Sequence, residues 1–197
     1  MNENLLLLYL AAIPLMGSPG PATLSVAATA AAFGSRPALS YLCGIILGTV
    51  GVLLLVATGI TGAILAVPAL GSVITIVAAC YILYLAWRIA TAPPLGQGAD
   101  ARKRPSLTAG FLLAIANPKA FAAIGAVFSG HQLVAGDLLT DSLLKILALA
   151  PLIILINSAW LAFGSLIAST LRDPRLSRMT NICFAILLVI SVGFALV

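Results

Sequence analysis

Apolar runs fenced by charged or turn-forming residues recur six times along the chain: Leu5–Thr29, Ala38–Val67, Leu70–Ile89, Leu107–Phe128, Ile146–Ser169 and Met179–Val197. Each holds about 20 residues or more, the length a helix needs to cross a hydrocarbon layer about 30 Å thick. A backbone in lipid must satisfy its own hydrogen bonds. Unbroken apolar runs therefore predict helices, whereas barrel strands would alternate between apolar and polar residues. The pattern predicts an all-α, polytopic membrane protein with six transmembrane helices. Short links and ends leave no room for a soluble domain, so residues 1–197 form one integral membrane domain.

Composition agrees with the pattern. Apolar residues make up 62% of the chain and charged residues 8%, with a mean hydropathy of +1.19. A soluble domain carries about 45–50% apolar and about 25% charged residues. A soluble enzyme, a nucleic-acid binder and a disordered regulator are thereby excluded. Ten Lys and Arg against five Asp and Glu give a net charge of +5, and placement decides what that charge means. Arg36 lies in the first link, Arg88, Arg102, Lys103 and Arg104 in the third, and Arg172, Arg175 and Arg178 in the fifth. The other side holds Glu3, an uncharged second link, and a fourth link with His131, Asp137, Asp141 and only Lys145. By the positive-inside rule, links one, three and five face the cytoplasm and both termini face outward. Trp87 and Tyr41 fall where an aromatic belt on the inner side would lie. The basic run Arg102-Lys103-Arg104 falls short of the four to eight basic residues of a lipid-binding cluster, so it reads as a topology determinant. Met1-Asn2-Glu3-Asn4 carries an acid and no base, the wrong start for a cleaved secretion signal.

The loop over residues 92–106, with Pro93 and Pro94, divides the chain into halves of three helices, residues 1–91 and 107–197. An odd number per half makes the halves enter the membrane in opposite directions, as in the inverted repeats of secondary transporters. Each half opens on an interrupted helix. Pro14-Leu15-Met16-Gly17-Ser18-Pro19-Gly20-Pro21 holds three prolines and two glycines in eight residues and cannot form continuous α-helix. Asn117-Pro118-Lys119-Ala120 is its counterpart. Such breaks are tolerated only where protein or a watery cavity satisfies the exposed backbone. Restarting helices offer N–H groups to an anion such as a carboxylate, and the carbonyls upstream attract cations. Pro21 and Pro118 suit the first turn of a restarted helix.

Lys119 is the only charge deep inside a predicted span, at a cost of about 2.5–3.5 kcal/mol. It is assigned as the partner of a substrate carboxylate, against the alternative of snorkelling to the interface. Gly44, Gly48 and Gly51 make a small-residue face on helix two, a helix-packing signal. Asn157 lines the pore or hydrogen-bonds another helix, and Trp160 reads as packing. Cys43, Cys80 and Cys183 are far apart and read as small packing residues. The single histidine and the absence of acids deep in any span leave no metal site or carboxylate pair, and no nucleotide-binding loop or serine-hydrolase motif is present. No cofactor is expected.

Several motifs together resemble one family. Pro19-Gly20-Pro21-Ala22-Thr23-Leu24, Cys43-Gly44-Ile45-Ile46-Leu47-Gly48 and Tyr81-Ile82-Leu83-Tyr84-Leu85-Ala86-Trp87 look like the first half of the lysine-exporter (LysE/RhtB) family. Gly110-Phe111-Leu112 and Asn117-Pro118-Lys119-Ala120 look like the start of its second half, so the likeness runs from about residue 5 to residue 128. It implies an inner-membrane exporter of amino acids or related small metabolites, driven by the proton gradient. Ala22 and Thr49 depart from it, standing where family members often carry polar or acidic residues.

The combined expectation is a secondary active exporter in the bacterial inner membrane, with termini outside and no enzymatic activity. Pro19, Gly20, Pro21, Thr23, Asn117, Pro118, Lys119 and Asn157 form its substrate site. Its partners are an amino-acid-like solute and the lipid bilayer, without nucleic acid, and the glycine face of helix two permits a homodimer. The alternatives are a non-transporting assembly or accessory protein and a passive small-solute channel.

Overall fold

The computed structural model describes residues 2–59, 68–91, 105–170 and 174–196. Among these residues all regular structure is helical: α1 (Asn2–Gly17), α2 (Pro21–Phe33), α3 (Ser35–Ala57), α4 (Pro68–Ala90), α5 (Leu107–Ile115), α6 (Pro118–Gly130), α7 (Leu138–Thr170) and α8 (Pro174–Leu196). The helix α3 and residues Leu138–Ile167 of α7 are each long and apolar enough to cross a membrane. The pairs α1–α2 and α5–α6 pass the same test when taken together. They are bent by 58° and 57° at breaks of a few residues. By length and composition the described helices therefore supply two membrane spans, or up to four with each bent pair counted as one. The end of the second apolar stretch, most of the central loop (Pro93, Pro94, Arg102, Lys103 and Arg104) and Arg172 lie outside the described residues.

Both expected interruptions are real, and their local chemistry explains them. Pro19 and Pro21 cannot donate a backbone hydrogen bond, so α1 ends at Gly17 and α2 starts at Pro21. Gly20 caps α2 in an extended conformation. Its amide donates to Thr23 Oγ1 at 3.0 Å, and its carbonyl accepts from the Leu24 amide at 2.9 Å. At the second break Asn117 is the N-cap of α6, its Oδ1 accepting from the Lys119 amide at 3.2 Å, with Pro118 in the first turn.

The short helix α2 is the centre of the molecule, with all thirteen residues buried. It packs against α3, α4, α7 and α8. Its sequence explains this: small residues run all the way round, so neighbouring backbones approach from every side. A Cβ at Gly164 of α7 would run into the backbone of Ala27. The helices α3 and α5 fit together the same way. A Cβ on Gly44 would strike the backbone of Leu107 and Phe111, and one on Gly48 would sit 2.6 Å from the Ala114 methyl. Gly51 is looser, facing Ile115 Cδ1 at 3.2 Å. These glycines pack as their spacing indicates, and their partner is α5 of the same chain.

Three expectations change with the structure. Tyr41 is fully buried, not in an aromatic belt, and its hydroxyl donates to Ser25 Oγ at 3.0 Å. Trp87 does lie outward, 62% exposed. The three cysteines sit on exposed helix faces instead of between helices. The fifth helix begins at Leu138, eight residues before the apolar run at Ile146.

That early start brings in a buried ion pair. Asp141 and Lys145, one turn apart on α7, approach to 2.7 Å and are 4% and 5% exposed. Asp141 Oδ1 also accepts from the amides of Leu133 and Val134 at 2.6 and 3.0 Å, and Lys145 Nζ donates to the Phe128 carbonyl at 2.7 Å. The pair fastens the α6–α7 connection to the end of α6. Lys145 is thus a fully buried cation in addition to the half-buried Lys119, and the i, i+4 spacing of Asp141 and Lys145 is its signal in the sequence.

Candidate functional site

The two breaks meet. Lys119, in the first turn of α6, extends its side chain to the end of α1, where its ammonium donates to the carbonyl of Ser18 and, at 3.2 Å, to that of Pro19. Both carbonyls lie in the stretch where the backbone ladder is interrupted by Pro19 and Pro21. A cation from the second break thus occupies the electronegative end left by the first. The next carbonyl back, Gly17, accepts from Trp160 Nε1 at 3.1 Å, so Trp160 of α7 is anchored to the same break and is more than packing. A Cβ at Gly20 would sit 2.9 Å from Lys119 Nζ, so glycine there makes room for the lysine stem.

A narrow cavity of about 40 Å³ opens beside this contact. Its polar edge is Gly20, Thr23, Thr49, Asn117, Lys119 and Asn157, and its remaining wall is apolar, supplied by α1, α2, α6 and α7. A mostly apolar pocket with a few convergent polar groups is the usual form of a small-molecule site. A second, wider cavity of about 430 Å³ is lined by Pro19, Gly20, Pro21, Pro118, Lys119, Ala122 and Ser191. Every residue assigned to substrate binding from the sequence therefore borders one cavity or both.

Asn157 is 5% exposed. Its Nδ2 donates to the Ile153 carbonyl at 2.8 Å, and its Oδ1 is buried with no hydrogen-bond partner among the described residues. Because a carbonyl can only accept, the amide nitrogen must face Ile153, which leaves the oxygen as the free end. Thr49 also lines the cavity, its hydroxyl donating to the Ile45 carbonyl at 2.8 Å. In the sequence it stands out only as a departure from the family pattern. A lone threonine in an apolar helix gives no periodic signal, and α3 had to be folded against α6 and α7 before the residue faced anything.

The family model of the LysE type translocators matches residues 13–197. The chain belongs to the LysE type translocator family, a family of transporters. It is accordingly a transmembrane transport protein. The match continues well past residue 128, where the recognisable motifs stop. Among curated relatives, the cysteine/O-acetylserine efflux protein of Salmonella typhi is 32% identical over 179 residues, covering 87% of each chain. The protein of the same description from Escherichia coli (strain K12) is 31% identical over 179 residues, again 87% of each. No solved structure matches the chain.

Proposed function

We propose that this protein is a secondary active exporter that carries amino acids or closely related small metabolites out across the bacterial inner membrane. The observation that carries this reading is the meeting of the two broken helices, with the Lys119 ammonium on the Ser18 and Pro19 carbonyls at the edge of the first cavity. At the edge of a mostly apolar cavity, a half-buried cation attracts a carboxylate. Kinship with cysteine/O-acetylserine efflux proteins supports the same substrate class, small polar amino acids.

In this reading the chain crosses the membrane six times as two inverted three-helix halves, residues 1–91 and 107–197. Both termini face outward, and each half opens on a bent pair. The near-equal bends of 58° and 57° support the inverted repeat. Pro19, Gly20, Pro21 and Thr23 from one half face Asn117, Pro118 and Lys119 from the other, with Asn157 closing the cavity. Export draws on the proton gradient. The cavity lining contains no Asp or Glu among the described residues, so protons couple through Lys119, water or the ionisable groups of the solute.

Cells overproducing the protein, preloaded with a panel of labelled amino acids and challenged with toxic amino acids and dipeptides, test this. Faster loss of at least one amino acid than from control cells is expected, and collapsing the proton gradient should slow it. Loss that ignores the gradient points to a passive channel. No loss of any solute, with no labelling of cysteines placed at Ser18 and Asn117 from either side, points to a non-transporting accessory protein.

A further inference from the structure

Gly20 and Lys119 border both cavities. The contact of the lysine ammonium with the Ser18 and Pro19 carbonyls therefore stands in the partition between them. Two features make this partition one that a particular solute can open. Lysine has three N–H donors and the carbonyls engage two, so one remains for a ligand. On the first cavity's wall the Asn157 Oδ1 is a buried acceptor with no donor among the described residues. The first cavity thus presents one cationic donor and one neutral acceptor, on different helices.

Resting on the export reading above, we propose that the substrate is recognised as a zwitterion and that its two charged ends together open the partition. The carboxylate draws the Lys119 ammonium away from the Ser18 and Pro19 carbonyls. The α-ammonium donates to Asn157 Oδ1 and to the carbonyls so released. The net charge of the cavity is unchanged by this exchange, and no buried group loses its partner. A solute with a carboxylate but no ammonium takes Lys119 from the two carbonyls and returns no donor to them or to the buried Asn157 Oδ1, which is costly. A solute with an ammonium but no carboxylate meets the Lys119 charge without compensation. Both half-substrates are therefore rejected, although each is as small as the amino acid itself.

The test uses the full chain reconstituted in liposomes. These are preloaded with a panel of labelled amino acids that includes cysteine and O-acetylserine, each paired with its des-amino counterpart (hydrogen in place of the ammonium) and its decarboxylated counterpart. The expected result is that at least one amino acid leaves at least about tenfold faster than from protein-free liposomes, while both counterparts leave at the background rate. Asn157→Ala, which removes the acceptor and adds no bulk to the cavity, should lower that efflux by about tenfold or more. If a des-amino or decarboxylated counterpart leaves as fast as its parent, zwitterion recognition is overturned and the export reading stands. If no amino acid leaves, the export reading falls and the inference with it. The counterpart panel needs no variant, so misfolding of Asn157→Ala would not spare the proposal.

Discussion

The ammonium of Lys119 and the carbonyl of Ser18, 101 residues apart in sequence, are hydrogen-bonded across the two broken helices. Each supplies what the other's break lacks: a cation for orphaned carbonyls, and acceptors for a charge that lipid would not tolerate. The bond belongs to tertiary structure, and it can be perturbed from either end.

Gly20 is the gentler end. Its backbone is extended (φ −168°), a conformation open to any residue, so substitution brings no strain. A methyl there would meet the flexible stem of Lys119 and push it aside. Gly20→Ala should lower efflux by about tenfold, the equivalent of about 1.4 kcal/mol, while leaving thermal unfolding in detergent little changed. A large fall in the unfolding temperature would show the glycine to be structural.

The interface of α3 and α5 should be far less forgiving. Lipid is as apolar as leucine, so helix association rests on close packing, and Gly44 lies against the backbone of Leu107 and Phe111. Gly44→Val should destabilise by about 1–3 kcal/mol or more. Gly125→Ala, where nothing lies within 4 Å of the new methyl, should be neutral or mildly stabilising. Melting curves of the two variants in detergent check both signs.

Asp141 and Lys145 make a different kind of prediction. Removing one partner leaves an uncompensated buried charge, so Asp141→Asn or Lys145→Met should cost about 3–5 kcal/mol. The pair of changes Asp141→Leu and Lys145→Met should recover much of that loss, because two apolar side chains bury no charge. Non-recovery in the double variant would mean that the amide bonds from Leu133 and Val134, not the ion pair, hold the connection.

The same connection carries a pH signature. Hydrogen bonds from the Thr140 hydroxyl and amide and from the Leu139 amide hold the exposed Asp137 carboxyl below its ordinary value. A lowered carboxyl contributes stability above the unfolded-state value of about 4, and that contribution fades as pH falls through the native one. Wild type should lose stability on acidification below about pH 4 more steeply than Asp137→Asn, which keeps a capping oxygen that does not titrate. Identical pH profiles would contradict this role.

Much of the site was legible before folding because membrane chains punish local irregularity. Prolines at 19, 21 and 118 and a lysine at 119 stand out against an apolar background, and the helices end and restart where they indicate, whereas Pro14 stays inside α1. What the chain did not reveal is which groups meet. Nothing local pairs Lys119 with Ser18, or aims Asn157 Oδ1 into a cavity, because those contacts arise only when α6 and α7 close on α1. Asp141 and Lys145 were assigned to a polar link for a related reason. Hydropathy counts two charges as loop, whereas the folded helix neutralises each with the other and starts two turns earlier. Tyr41 likewise reads as interfacial from its neighbour Arg36, yet Ser25 gives its hydroxyl a buried partner.

Efflux of a preloaded labelled amino acid from cells making equal amounts of wild type and Lys119→Ala bears most directly on the central claim. Charge-assisted hydrogen bonds are worth about 1.5–3 kcal/mol, so the variant should export about ten- to a hundred-fold more slowly than wild type. Equal rates across the amino-acid panel would contradict the account, and Lys119 would then be a structural tether between the two breaks with no part in moving the solute.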